Sequence, residues 1–188
     1  MKKSSIILIA VIAAIAILVF YMIGSYNGLV SKKEAVTQKL SDLDTALQRR
    51  SDLIPNLVNT VKGFTNHENE VIDKVTSARE KLAGATSIED KQKANEELSK
   101  SLKSLMVIVE NYPDLKSSEN FLNLQNELSG TENRIAVARR DYNDAVNKYN
   151  SSIKKFPSNI MAGMFGFGEE KYFEANEKAQ EVPSVNFN

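Results

Sequence analysis

The stretch from Ile6 to Ile23, IILIAVIAAIAILVFYMI, decides the architecture of this chain of 188 residues. Its 18 residues include no charged residue, no Gly and no Pro, and they follow Lys2 and Lys3. At about 1.5 Å of rise per residue, a helix of this length spans roughly 27 Å, close to the hydrocarbon thickness of a bilayer. We therefore expect residues 1–25 to be a single transmembrane signal anchor that contacts the lipid bilayer through residues 6–23.

Two other interpretations of the apolar run stay open. A cleaved signal peptide needs small residues at the cleavage site, after an apolar stretch of about 7–15 residues. The A-x-A match Ala14-Ile15-Ala16 lies inside the run, so cleavage there would leave an apolar stub. The other interpretation is a buried core helix. We favour the uncleaved anchor.

The lysines on either side of the run bear on its orientation. Lys2 and Lys3 precede it, and Lys32, Lys33 and Lys39 follow it, so the bias that sets membrane orientation nearly cancels. Compact positive charge at the N-terminus favours an N-terminus inside the cell. We expect a single-pass protein of the cell membrane with an extracytoplasmic soluble domain.

Composition excludes several function classes. The chain has 24 Lys+Arg and 24 Asp+Glu, and without Lys2 and Lys3 the remaining residues carry a net charge of −2. This balance gives no basic footprint for nucleic acid. The absence of cysteine from the sequence excludes disulfides, thiolate metal sites and cysteine nucleophiles.

Beyond Tyr26, apolar residues recur at steps of three, four and seven, which places one apolar stripe on one face of each helix. The stripes are Leu29, Val36, Leu40, Leu43, Leu47 and Ile54; Leu57, Val61, Phe64, Val71, Val75, Ala78 and Leu82; Leu98, Leu102, Leu105, Val109 and Tyr112; and Phe121, Leu124, Leu128, Ile135, Ala138, Tyr142, Tyr149, Ile153 and Phe156. Strand-like alternation is absent. The pattern predicts an all-α protein, in which an N-terminal single transmembrane helix is followed by an antiparallel four-helix bundle with long helices over residues 26–156.

Caps and helix breakers give the helix boundaries. We expect helices near residues 26–51, 52–83, 88–111 and 117–155. Asp52 is a candidate cap with Pro55 in the first helical turn, and the alternative is one helix that kinks at Pro55. Ser87 begins a capping-box-like sequence, Pro113 breaks the third helix, and Ser117 and Ser118 are candidate caps of the fourth.

Residues 157–188 form a third segment, which begins with the apolar and glycine-containing sequence PSNIMAGMFGFG. Its large side chains are Ile160, Met161, Met164, Phe165 and Phe167. They either cap the open end of the bundle or form a contact site for the membrane surface or a partner protein, because Met and Phe adapt to varied apolar surfaces. We therefore name these five as possible partner-contact residues. A short helix is expected over Glu169–Lys178, and Val182–Asn188 is expected to fray.

Few residues could carry chemistry. His67 is the only histidine and lies in the sequence Asn66–Glu70, where helical spacing would place it on one face with Glu70. This arrangement lacks the paired ligands of known metal motifs, and the chain has no nucleophile elbow, Walker loop or dinucleotide fingerprint. We predict a non-enzymatic protein with no catalytic, cofactor-binding or metal-binding residue. The alternative is a weak ligand-binding, metal-binding or enzymatic role at Asn66–Glu70.

Two clusters of polar residues have two interpretations each. One cluster is Asp42, Asp44, Arg49, Arg50 and Asp52, and the other is Glu132, Asn133, Arg134, Arg139, Arg140, Asp141 and Asn143. They are either solvated helix faces with weak i,i+4 pairs, or their arginines bridge the helices through bidentate contacts with carboxylates.

With these segments in place, the chain resembles the LemA family of bacterial membrane-anchored helical proteins. The resemblance rests on the N-terminal anchor and on these motifs: Tyr26-Asn27, Arg49-Arg50-x-Asp52-Leu53-Ile54-Pro55-Asn56-Leu57-Val58, Val61-Lys62-Gly63-Phe64, His67-Glu68, Tyr112-Pro113-x-Leu115-Lys116, Phe121-x-x-Leu124-Gln125-x-Glu127-Leu128, Thr131-Glu132-Asn133-Arg134-Ile135-Ala136, Ala138-Arg139, Tyr142-Asn143, Tyr149-Asn150, Phe165-Gly166-Phe167 and Tyr172-Phe173.

The resemblance implies a single-pass anchor with a soluble antiparallel α-bundle, and it implies no established enzymatic activity, cofactor or agreed substrate. We expect a scaffold or protein-interaction module at the bacterial cell membrane, whose partner is an unknown protein or a second copy of the chain.

Overall fold

The computed structural model describes residues 3–65 and 68–174, with side chains from residue 6 onward, and these residues form helices and no strand. The helices are α1 (Lys3–Lys62), α2 (Asn69–Gly84), α3 (Ile88–Val109), α4 (Pro113–Lys116), α5 (Glu119–Lys154) and α6 (Ser158–Phe165). The prediction of an all-helical chain is confirmed. The described residues divide into a first unit (3–39 and 143–171) and a second unit (40–65, 68–142 and 172–174).

The apolar run forms the N-terminal part of α1, and its large apolar side chains are exposed. In the described part of the chain, α1 is the one helix that is long and apolar enough to cross a membrane, as judged by length and composition. None of its most apolar 18-residue window is buried. The interpretation of this run as a helix buried in the core of the chain is therefore wrong.

The predicted boundary between helices 26–51 and 52–83 is wrong, because α1 continues through Pro55 to Lys62. A proline cannot donate the backbone hydrogen bond that would reach the carbonyl of Ser51, four residues earlier. Arg79 of α2 donates from its Nε to this Ser51 carbonyl at 3.5 Å, a long contact in a part-buried position. Asp52 does not cap a helix, because it lies inside α1, where its carboxylate accepts a hydrogen bond from Gln48 at 2.7 Å.

The break between α1 and α2 falls after Lys62, eleven residues after the predicted helix end at residue 51. The Gly63 N–H is shared between the carbonyls of Asn59 and Thr60, both at 3.2 Å. The Thr65 N–H and hydroxyl both donate to the Val61 carbonyl, at 3.1 Å and 3.2 Å. These bonds satisfy the last carbonyls of α1, as a helix end requires.

The helix start at Ser87 is confirmed, and of the two candidate caps of the fourth predicted helix, Ser117 and Ser118, it is Ser118 that caps α5. Ser87 has extended backbone angles, and its hydroxyl oxygen accepts a hydrogen bond from the Asp90 N–H at 3.1 Å. Ser118 accepts from the Phe121 N–H at 3.2 Å. A serine cap of this kind contributes about 1 kcal/mol to helix stability.

Apolar stripes form the core of the second unit, where α2 packs against α3. The buried residues of these helices are Ile72, Val75, Ala78 and Leu82 on α2 and Ala94, Leu98, Leu102, Leu105 and Val109 on α3. Each large side chain of this kind contributes about 1.5–3 kcal/mol when fully buried. The sequence predicted most of these positions, because a step of three or four residues returns to the same helix face.

Two predicted stripe residues, Phe64 and Phe156, are exposed instead of buried. The reason is the same for both. Phe64 lies two residues after the end of α1, and Phe156 lies two residues after the end of α5. The helical repeat that would turn these rings toward the core has therefore already ended.

Candidate functional site

In the first unit, α6 lies against the part of α1 that follows the apolar run. The ring of Tyr26 lies 4.9 Å from that of Phe165 and 5.7 Å from that of Phe167, centroid to centroid, at interplanar angles of 60° and 63°. Such tilted and edge-on arrangements are favourable for aromatic pairs. Tyr26 is three residues beyond Ile23, or about 4.5 Å of helix rise. The segment that contains α6 therefore lies at the C-terminal end of the apolar run.

The structure divides the five predicted contact residues. Met161 is buried with 3% of its surface exposed, while Ile160, Met164 and Phe165 are more than half exposed and Phe167 is half-buried. Phe156 has 81% of its surface exposed in the same unit. We call Phe156, Ile160, Met164 and Phe165 the α6 patch.

Short backbone contacts fix the chain after α6. The Gly166 and Phe167 N–H groups both bond to the Ala162 carbonyl, and Gly166 has a φ of 71°, in the left-handed region where glycine is favoured. The Tyr149 hydroxyl donates to the Gly168 carbonyl at 3.0 Å.

Asn150 holds the next residue of this segment. Its side-chain amide donates to the Glu170 carbonyl at 2.8 Å and accepts from the Glu170 N–H at 2.9 Å, and only 4% of the residue is exposed. Lys33 of α1 lies 3.6 Å from the Glu170 carboxylate, and Lys154 pairs with Glu169 at 2.7 Å. Residues 169–174 have no regular secondary structure. The prediction of a helix over 169–178 is therefore wrong for these residues, and residues 175–178 lie outside the described residues.

A buried arginine, Arg50, lies in the second unit with 4% of its surface exposed. Its Nη1 donates to the Asn95 side-chain oxygen at 2.8 Å, and its buried Nε has no hydrogen-bond partner. Burial lowers the pKa of Arg50 from its usual value, and the negative charge of Glu132 opposes this shift. No described carboxylate oxygen comes within 4.0 Å of the guanidinium.

Two cavities of the second unit share Arg50, Ser99 and Glu132 in their walls. The Gln92 cavity has a volume of about 220 Å³ and is also lined by Gln92 and Phe173. The Lys103 cavity has a volume of about 370 Å³ and is completed by Leu102, Lys103, Met106, Gln125, Leu128 and Ser129.

The polar clusters are partly bridges and partly exposed faces. Arg49 and Glu127 approach within 3.8 Å and are both about half exposed, while Lys91 pairs with Asp44 at 2.7 Å. Arg50 bridges to the amide of Asn95 and not to a carboxylate. Of the two interpretations, the bidentate contact between arginine and carboxylate is therefore not the way in which Arg50 is held.

Asn66 and His67 lie outside the described residues, so the prediction that rests on them has no structural outcome. Of their neighbours, Glu68 accepts a hydrogen bond from the Tyr112 hydroxyl at 3.0 Å, and this bond raises the pKa of Tyr112. Glu70 pairs with Lys74 at 2.7 Å. No group of three or more potential metal ligands occurs among the described residues.

The sequence contains a signal that could have identified Arg50. Val36, Leu43, Arg50 and Leu57 follow one another at steps of seven, and the three apolar members are buried. Asn150 likewise lies four residues after Val146 and three before Ile153, both buried. A polar residue in a heptad core position indicates a specific partner or site, and this signal was missed for both.

Comparison with known proteins gives consistent relatives. The chain is 29% identical to "Protein LemA" of Metamycoplasma hominis, over 88% of this chain and 76% of that protein. It is 28% identical to "Magnetosome protein MamQ 2" of Paramagnetospirillum magneticum, over 96% of this chain and 75% of that protein. With "Magnetosome protein MamQ" of Magnetospirillum gryphiswaldense it shares 26% identity, over 85% of this chain and 68% of the relative. Because the model of the LemA family matches residues 39–187, which is most of the sequence, the chain belongs to the LemA family.

Proposed function

We propose that this chain is a non-enzymatic protein that is anchored in the cell membrane by one helix and acts there as a scaffold or protein-interaction module. The observation that carries the proposal is the exposure of the apolar run on α1, a helix that continues unbroken to Lys62. Exposed apolar surface costs about 25 cal/mol per Å² in water, and a bilayer removes that cost. The magnetosome proteins among the relatives support a membrane-associated role.

The domain that the anchor holds is, in this proposal, an antiparallel four-helix bundle. Its members are residues 40–62 of α1, then α2, α3 and residues 119–142 of α5. Polar contacts support this assignment, because α1 is linked to α2 through Arg79, to α3 through Lys91 and to α5 through Glu127. Each of the four segments also carries a buried apolar stripe.

The α6 patch rests, in this proposal, on the surface of the same bilayer. Its side chains are exposed, so they do not cap the core. The contacts of Tyr26 with Phe165 and Phe167 hold α6 at the end of the apolar run, where the polar headgroups would begin. Apolar side chains at this depth bury their surface in the boundary between headgroups and acyl chains.

The anchor and its orientation can be tested by labelling single cysteines, because the chain has none of its own. Ser104 is exposed on α3, and Ser4 precedes the apolar run. We expect a membrane-impermeant maleimide to label Ser104→Cys on wall-stripped cells and to label Ser4→Cys only after lysis. The reverse pattern would place the domain in the cytoplasm, and release of the Ser104→Cys chain into the medium would indicate a cleaved signal.

The position of the α6 patch can be tested by fluorescence, because the chain has no tryptophan. In nanodiscs we expect Phe156→Trp to show blue-shifted emission that is quenched by brominated lipids. Phe64→Trp is the matched control, an exposed phenylalanine of the second unit. Solvent-like, unquenched emission from Phe156→Trp would contradict contact with the bilayer.

The scaffold role can be tested by crosslinking in intact cells, with the full chain compared with a chain that lacks residues 157–168. We expect the same discrete adduct, with a partner protein or a second copy, from both chains, and a helix content that differs only by the 8 residues of α6. Loss of the adduct on deletion, together with an unquenched Phe156→Trp, would assign the patch to a protein partner. Absence of any adduct from the full chain would contradict the scaffold role.

A further inference from the structure

The guanidinium of Arg50 presents unused donors in a buried position. Of its nitrogens, Nη1 donates to Asn95, and neither Nε nor Nη2 donates to a described residue. Nε and Nη2 lie on one edge of the planar group and form the fork that holds a carboxylate through two parallel hydrogen bonds. A buried arginine is costly unless its charge and its donors are matched.

The two cavities at Arg50 differ in charge. The Gln92 cavity is lined by Arg50 and Arg139 and by three carboxylates, Glu96, Glu132 and Glu174, which together disfavour an anion. The Lys103 cavity is lined by two cations, Arg50 and Lys103, and by one carboxylate, Glu132. An anion is therefore favoured in the Lys103 cavity.

The Lys103 cavity also has an apolar part. Leu102 and Leu128 are buried beside Met106, and its volume of about 370 Å³ falls in the range of small-molecule sites, roughly 300–1,000 Å³. Apolar walls with a few convergent polar groups are typical of such sites. A bare inorganic anion would leave these walls without a partner.

We propose that the Lys103 cavity binds a small carboxylate with a short branched apolar group, whose carboxylate pairs with the guanidinium of Arg50. Lys103 adds a second positive charge at the rim, and Glu132 opposes binding through its like charge. Leu102, Met106 and Leu128 contact the apolar group of the ligand. The site lies wholly within the second unit and does not depend on the membrane anchor or on the α6 patch.

The experiment is a titration of the full chain in nanodiscs with isovalerate, followed by NMR of the Arg50 Nε–H and of the Met106 methyl group. We expect saturable shifts of both signals with isovalerate, weaker binding of acetate, and no response to isovaleramide, which has the same shape without the charge. Inorganic phosphate is titrated in parallel. An equal response to isovaleramide or to phosphate would overturn the assignment to a carboxylate with an apolar group.

Variants separate binding from structure. We expect Glu132→Gln to tighten isovalerate binding and Lys103→Ala to weaken it, each by roughly threefold, the scale of an exposed charge pair. Lys93→Ala, an exposed lysine of α3 that lines neither cavity, should leave binding unchanged. Arg50→Lys should abolish the saturable Met106 shift.

The competing possibility is that Glu132 closes onto Arg50 and fills the fork itself. In that case Glu132→Gln would move the Arg50 Nε–H signal without ligand, and isovalerate would give no saturable shift in the wild-type chain. That result would overturn the proposal. This measurement uses only the wild-type chain and Glu132→Gln, so the test holds even if Arg50→Lys does not fold.

Discussion

Replacement of Asn150 by alanine is expected to loosen the segment that follows α6. The Asn150 amide makes two hydrogen bonds to the backbone of Glu170, at 2.8 Å and 2.9 Å. At about 1 kcal/mol per bond, their loss makes local opening easier by about 2 kcal/mol. Because about 1.4 kcal/mol corresponds to a factor of ten, the Glu170 amide should exchange its hydrogen roughly 30-fold faster in Asn150→Ala.

The assay is hydrogen–deuterium exchange of the full chain in nanodiscs, read at the Glu170 amide. Asn126→Ala is the matched control, an exposed asparagine of the same helix, and it should leave exchange at Glu170 unchanged. Asn150→Asp keeps an oxygen that accepts from the Glu170 N–H but loses the donor, so an intermediate increase is expected. An increase below about threefold in Asn150→Ala, or an equal increase in Asn126→Ala, would refute the role of this side chain.

The remaining predictions concern stability, measured by chemical denaturation. Burial raises the pKa of Tyr149 above the usual 10.0. As the pH rises past about 10, Tyr149 therefore ionises first in the unfolded chain, and the free energy of unfolding falls until the pH passes the folded-state pKa. Tyr149→Phe should remove this part of the pH dependence. Ser87→Ala removes the cap of α3 and should cost about 1 kcal/mol, and no loss would contradict that role. Arg79→Gln should also lower the free energy of unfolding by about 1 kcal/mol. The loss should be clearly smaller in a Pro55→Ala background, where the Ser51 carbonyl regains a helical donor. Equal losses in the two backgrounds would show that the Ser51 carbonyl is not the partner through which Arg79 stabilises the fold.

Local patterns in the sequence account for much of the fold. Leu98, Leu102, Leu105 and Val109 are buried as their spacing predicts, because the helical repeat acts over three and four residues regardless of what the helix packs against. The Ser87 cap is equally local, since its partner Asp90 is three residues away. Features of this kind need no knowledge of the tertiary structure.

The boundary at Pro55 could not be placed in the same way. Proline usually ends or kinks a helix because it leaves the carbonyl four residues earlier without a donor. Here that carbonyl belongs to Ser51, and its donor Arg79 lies 28 residues later in the sequence. Whether the helix continues through Pro55 therefore depends on how α2 packs, and no local pattern reports that packing.

Arg50 and Asn150 show what a heptad pattern contains beyond its apolar members. Both occupy positions where the repeat requires a buried side chain, so both lose the solvation that a polar group has on the surface. Asn150 recovers much of it, since each of the two polar atoms of its side chain bonds to the backbone of Glu170. Arg50 recovers only part, because Asn95 satisfies Nη1 while Nε has no partner. The heptad pattern of α5 therefore contains a polar residue that completes the fold, whereas that of α1 contains one with an unused donor, and this residue, Arg50, lines a cavity with room for a ligand.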